Sequence, residues 1–185
     1  MFTWQVQGIS TVYAVLVYIN GHMRGPKVHA VHIMASWFNT NTSFANIVAL
    51  PPSTTPILSD GWLSGMIDTD GSFQFNFKIS LVDSNAIDVR LLMFLTQSRN
   101  WQVPNAIFGN SWTNIMASVV SVLHGTVADR IRTRFNDRVE DVVGVVVKNI
   151  ESREILQSYL ARYPLLTSKR LDSFDWMTSD YKQWS

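Results

Sequence analysis

The chain has no cysteine, which excludes disulfides and thiolate metal sites and fits an intracellular or organellar compartment. It also has little charge. Only 16% of its 185 residues are charged, and 15 Lys and Arg against 14 Asp and Glu leave a formal net charge of +1. Proteins that hold a nucleic-acid duplex concentrate basic charge to displace counterions, so this low total weakens the term that drives such binding. No apolar run reaches the length of a membrane span, and no membrane partner is expected. No secretory or Arg-rich transit segment is visible at the N-terminus. What the chain does have is a 46% hydrophobic content with seven Trp and ten Phe, so it is not a disordered sequence. The length suits one well-buried core and is short for two independent ones.

The most informative stretch is residues 60–80, DGWLSGMIDTDGSFQFNFKIS. Its first half is compatible with a helix that Ser59 would cap. Gly65 shares a face with Asp68 and Thr69, and the small residues Ser64, Gly65 and Thr69 would let a second helix approach backbone to backbone. Asp70 falls at the helix end, and Gly71 can take the positive φ of a turn into a strand. A carboxylate at such a junction suits a hard cation such as Mg²⁺, and paired metal sites suit phosphodiester hydrolysis. Equally, Asp70 could simply cap the turn. From Ser72 to Leu81 the sequence alternates as a strand, with Phe73, Phe75, Phe77, Ile79 and Leu81 facing a core and Gln74, Asn76, Lys78 and Ser80 facing out. Gln and Asn suit adenine edges and Lys suits guanine, although a merely solvated face would look the same.

Elsewhere, residues 9–20 form an apolar β-branched run that periodicity cannot assign to strand or helix. Pro26 opens a helix whose Val28, Val31, Met34, Ala35 and Phe38 recur at helical spacing up to Asn39, with His32 expected in packed surroundings. Residues 40–58 are a connector rich in Asn, Thr, Ser and Pro. Residues 88–98 predict a second strand whose outward face joins Arg90 and Thr96 to Leu92 and Phe94. A helix capped at Asn110 or Ser111 runs to Leu123 and stops at Gly125. Residues 126–135 place Arg130, Arg132 and Arg134 on one face of a third strand, suited to phosphates or merely solvated. If this strand shares a sheet with the first, Ile131 and Phe135 would join the Phe side chains beneath the helices. A fourth strand, DVVGVVVKN, leads to a helix ending at Tyr163 before Pro164.

The nine residues Leu63, Ser64, Gly65, Met66, Ile67, Asp68, Thr69, Asp70 and Gly71 resemble the signature of the LAGLIDADG homing endonucleases, departing from it at Ser64, Met66 and Thr69. Ser72 and Phe73 continue it as the family does. INGHMRGPKVHAVHIMASWFN, with His32 and Trp37, is similar to the end of the first repeat in two-repeat mitochondrial members of group I intron type. REILQSYLARYPLLTSKRLDSFDW resembles the family's C-terminal signature. The likeness implies an α+β fold: an αββαββα unit at 59–185, with a curved antiparallel four-stranded sheet covered by helices on one face, preceded by a first-repeat remnant and connector at 1–58. For an active enzyme it implies that Asp70 ligates Mg²⁺ and that Gln97 lies near the metal-bound waters, with Lys148 serving the scissile phosphate if the alignment shifts to bring it there. It further implies nucleic-acid contacts from Gln74, Asn76, Lys78, Arg90, Arg130, Arg132 and Arg134. Ser64, Gly65, Asp68 and Thr69 would form a helix interface with a second protein chain.

Three departures shape the functional expectation. No first signature precedes the one at 63–71, Glu151 stands where the family commonly has a lysine, and the net charge is low. A negative charge near the scissile phosphate would repel it. The resemblance then implies a nucleic-acid-binding protein that does not cut on its own, with a mitochondrial RNA-bound role as an intron maturase or on ribosomal RNA. Two alternatives stay open. One is an active endonuclease half that hydrolyses DNA with Mg²⁺ when a second signature-bearing chain joins it. The other is a protein-packing subunit that docks through Leu92 and Phe94. Whether the ligand is RNA or double-stranded DNA is left open by the residues.

Overall fold

The computed structural model describes residues 5–79, 87–100, 111–133, 137 and 139–179. They fall into two units: one reaches to Thr54 and includes Asn100, Ser111 and Trp112, and the other comprises residues from Thr55 to Arg99 and from Thr113 onward.

The first unit is a helical hairpin, α1 (Ile9–Ile19) and α2 (Val28–Asn41). The β-branched run that periodicity left undecided is therefore a helix. Leu16 packs on Val31, Ala35 and Phe38 of α2, with Val12 and Ile19 beside them, and this burial outweighs the weak helix propensity of Val and Ile. Gly21 turns the chain at φ 84°. Two asparagines then hold the connector: Asn20 bonds Val48 O and Leu50 N at 2.7 and 3.0 Å, and Asn39 bonds Ile47 O and N at 3.0 and 2.9 Å. His32 is half-buried, with Nε2 2.7 Å from Leu50 O.

The second unit contains α3 (Trp62–Asp70), β1 (Gly71–Ile79), β2 (Ile87–Ser98), α4 (Thr113–Leu123), β3 (Thr126–Thr133), β4 (Val139–Val147), α5 (Ile150–Arg162) and α6 (Lys169–Thr178). This is the expected αββαββα order, with α6 after it. The four strands form an antiparallel sheet in the order β1-β2-β4-β3. Alternation sorts the two faces. Leu91, Met93 and Leu95 of β2 and Val143, Val145 and Val147 of β4 are buried on one face, where α3, α4 and α6 pack. None of the described helices is long and apolar enough to cross a membrane.

Several local expectations change. Ser59 lies in a short 3-10 turn, and the Asp60 carboxylate instead accepts from Trp62 N at 3.0 Å at the start of α3. Gly71 is extended, with φ −75°, so its glycine is needed for closeness and not for a left-handed turn. A Cβ there would lie 2.6 Å from Ile67 O. Likewise α4 ends with His124 at φ 51°, ahead of Gly125. The aromatic face of β1 is incompletely covered: Phe73 is half-buried against Trp176, with ring centroids 5.4 Å apart, but Phe75 is 37% exposed. Ile131 is 77% exposed because β3 is the sheet's edge strand. The side chains of Phe77 and Ile79 and all of Leu81, Phe135, Asn110 and the turn at 83–85 lie outside the described residues.

Candidate nucleic-acid interface

The face of the sheet opposite the helices is built by strand register. Ser72, Gln74 and Asn76 of β1 stand opposite Phe94, Leu92 and Arg90 of β2. Phe94 and Thr96 stand opposite Val146 and Gly144 of β4, and on the far side Arg130 and Arg132 of β3 stand opposite Val142 and Glu140. Opposed residues in an antiparallel ladder share a face, so Gln74, Asn76, Arg90, Arg130 and Arg132 lie on one surface. Lys78 keeps its backbone place opposite Asp88. Its side chain, like the whole of Arg134, lies outside the described residues.

The surface carries a depression of about 1060 Å³, lined in part by Asn76, Arg90, Phe94, Arg130 and Lys148. The Arg130 guanidinium sits over the Phe94 ring, 5.5 Å from its centroid, and Arg132 reaches Thr96 Oγ1 at 3.5 Å. Glu151, which also lines the depression, receives His124 Nδ1 at 2.6 Å. It occupies the first turn of α5, where a carboxylate favours the helix dipole. Asn149 caps that helix by accepting from Ser152 N at 2.8 Å. Glu151 thus has a structural reason for its sign.

A second cluster forms where α3 meets the sheet. Gln97 Nε2 donates to Asp70 Oδ2 at 2.5 Å, and Thr69 Oγ1 donates to the same oxygen at 3.1 Å. Asp70 is exposed. The carboxylate and the amide carbonyl of Gln97 are oxygen donors, the chemistry Mg²⁺ takes. Yet the described residues hold no group of three or more His, Cys, Asp or Glu able to grip a metal. The donors present fit one side of a hard-cation site and leave its other ligands to come from elsewhere. Lys148 lies in the sheet depression.

The four small or acidic positions of α3 divide. Ser64 is buried: its N–H donates to Tyr159 Oη at 3.0 Å and its hydroxyl to Pro164 O at 3.2 Å. Asp68 accepts from Leu166 N at 2.6 Å and Thr167 Oγ1 at 2.6 Å. Those two are engaged within the unit. Gly65 and Thr69 are exposed, and a Cβ added at Gly65 would meet nothing within 4 Å.

Two supporting residues escaped the sequence reading. Lys169 Nζ donates to Thr69 O at 2.9 Å and Ile67 O at 3.3 Å, satisfying carbonyls at the end of α3. Arg99 clamps the strand ends by bonding Asp141 at 2.8 Å, Thr113 at 3.2 Å and Asp129. A lysine opening the C-terminal helix and an arginine just past β2 carry no spacing signal of their own. Only the tertiary fold gives them partners.

Residues 63–179 match the family model of the LAGLIDADG endonucleases. The intron-encoded DNA endonuclease aI3 of Saccharomyces cerevisiae is 28% identical over 191 residues, covering 94% of this chain and 46% of that protein. The chain thus spans about half the length of this relative. Among solved structures, meganuclease I-CpaMI bound to uncleaved DNA is 17% identical with a TM-score of 0.46, covering 63% of this chain and 35% of that one. Meganuclease I-SmaMI bound to uncleaveable DNA is 19% identical with a TM-score of 0.44, covering 76% and 42%. The family model spans well over half of the residues and takes in the helix, the sheet and the Asp70–Gln97 junction alike. The chain belongs to the LAGLIDADG endonuclease family.

Proposed function

We propose that this chain is one half of a two-repeat LAGLIDADG protein, that it holds duplex DNA on the open face of its sheet, and that it does not cut DNA as a single chain. The observation that carries this reading is the arrangement of Asp70. One exposed carboxylate, held by the neutral donors of Gln97 and Thr69, stands at the end of a helix whose Gly65 and Thr69 side is uncovered. A second signature helix placed there would bring a second carboxylate to the same end. Carboxylates so placed could hold Mg²⁺, which when bound would supply charge stabilisation at the scissile phosphate and an activated water. Asp70 would hold the ion from this chain, Gln97 would orient the carboxylate, and Lys148, from the sheet, would neutralise phosphate charge. A relative 28% identical across 94% of this chain is named an intron-encoded DNA endonuclease, which supports DNA as the ligand.

An RNA-bound role, as maturase or on ribosomal RNA, is favoured by one observation, the Arg130 guanidinium over the Phe94 ring. Such pairs receive unstacked bases. The test is direct. The full chain is titrated against a randomised DNA duplex pool and an RNA pool, with and without Mg²⁺, and supercoiled plasmid is inspected for nicks. Duplex binding without nicking is the expected result. Nicking by the single chain, abolished by Asp70→Asn, would overturn the non-cleaving half of the proposal.

A further inference from the structure

Gln74 lies directly opposite Leu92 on the open face, and Phe94 lies between Ser72 on one side and Val146 on the other. Opposed residues carry their Cβ atoms about 5 Å apart, so an amide and an aliphatic side chain stand side by side. Leu92, Phe94 and Val146 are each half-buried and share the lining of the depression with Arg90, Arg130 and Lys148. A face that only gripped phosphates would gain nothing from leaving three apolar side chains partly in water at its centre. The cationic residues around them select a polyanion, so the apolar centre must meet something apolar on that polyanion. In the major groove an A·T pair presents adenine N7 and N6 next to the thymine 5-methyl group, and thymine methyls are the apolar feature of that groove.

We propose that the centre of the open face reads A·T base pairs, with Gln74 bonding the adenine edge and Leu92, Phe94 and Val146 packing on thymine methyl groups. This rests on the duplex-binding reading above and adds to it the composition of the preferred site. Uracil differs from thymine only by the missing methyl and keeps every hydrogen-bonding group, so it isolates the proposed contact.

A duplex recovered by selection from a randomised pool is synthesised with thymidine and with deoxyuridine, and both are titrated by fluorescence anisotropy. The recovered sequences should carry A·T pairs at their centre. The wild-type chain should bind the deoxyuridine duplex about fourfold more weakly per contacted methyl, the scale of one buried methyl group. Leu92→Ala and Phe94→Ala should each narrow the difference between the two duplexes, and Gln74→Leu should lose the preference for adenine while still distinguishing thymidine from deoxyuridine. If a variant fails to fold by circular dichroism, the wild-type comparison decides alone. Equal binding of both duplexes by the wild type overturns the proposal and leaves the duplex reading standing. Failure to bind any duplex overturns both, and tighter binding to RNA of the same sequence overturns the proposal in favour of an RNA ligand.

Discussion

Gln97 and Asp70, 27 positions apart in the chain, meet side chain to side chain at 2.5 Å, joining the end of β2 to the end of α3. The C-terminus of a helix carries partial negative charge and disfavours a carboxylate there, so Asp70 stands at a position that attracts cations. A neutral amide orients it without cancelling its charge.

This gives an expected outcome for Asp70→Asn. Without Mg²⁺, duplex binding should be unchanged or slightly tighter, because a carboxylate beside phosphates repels them. With Mg²⁺ that advantage should vanish. Anisotropy titrations in chelator and in Mg²⁺ decide it: clearly weaker binding of the Asn variant in chelator would mean that the carboxylate supports the fold and not the site.

Arg130 and Arg132 share the open face at one end of the sheet. Replacing both with Ala should weaken duplex binding at low salt by orders of magnitude and flatten the dependence of log K on log salt by about one unit per lost phosphate contact. Gln74→Ala should change sequence preference with almost no change in that slope, because an amide at base edges releases few counterions. An unchanged slope in the double Arg variant would remove the sheet face as the binding surface and favour docking on another protein.

These residues were legible because a strand's period of two is visible in sequence. Gln74 and Asn76 could be grouped on one face of their strand, Arg90 with Thr96 on one face of the next, and Arg130 with Arg132 on one face of the third, but that these faces form one surface took the register of the sheet. The junction was legible too, since Asp70 followed by Gly71 and an alternating strand leaves few geometries. What was not legible depended on packing between distant segments. Ser64 and Asp68 look like part of a small, polar helix face until α5 and the loop at 166–167 are placed against them. Ile131 alternates as a core residue but belongs to an edge strand. The run at 9–19 needed α2 beside it to be a helix.

Tyr159 offers a test of the α3–α5 packing. Its hydroxyl accepts from Ser64 N at 3.0 Å and donates to Asp60 O at 2.7 Å, in a buried position. Tyr159→Phe strands one donor and one acceptor and should cost about 1–3 kcal/mol in denaturant unfolding. Burial, only partly opposed by the Ser64 N–H, raises the phenol above its ordinary value of 10.0. The raised value belongs to the folded state, so the associated stability is complete below the unfolded value and declines as pH rises through the folded one. Stability curves of the wild type should therefore bend down in the alkaline range above about pH 10 more steeply than those of the Phe variant. Parallel curves would mean that Tyr159 carries no such linkage.

Gly65 separates what suits the single chain from what suits an assembly. A glycine inside a helix costs about 0.5–1 kcal/mol relative to alanine, chiefly through backbone entropy. At Gly65 the structure shows no local need for it, because an added Cβ would touch nothing within 4 Å. Gly65→Ala should therefore raise the unfolding free energy of the isolated chain by that amount. If the exposed Gly65 and Thr69 side receives a second signature helix backbone to backbone, the same methyl group occupies the space of closest approach. The variant should then associate more weakly, in sedimentation or mass photometry, with a chain carrying a first-repeat signature helix, and Mg²⁺-dependent cleavage by the pair should fall with it. A substitution that stabilises one chain while loosening the pair cannot be explained by damage to the fold. Unchanged association of the stabilised variant would sink the interface and with it the two-carboxylate site at Asp70.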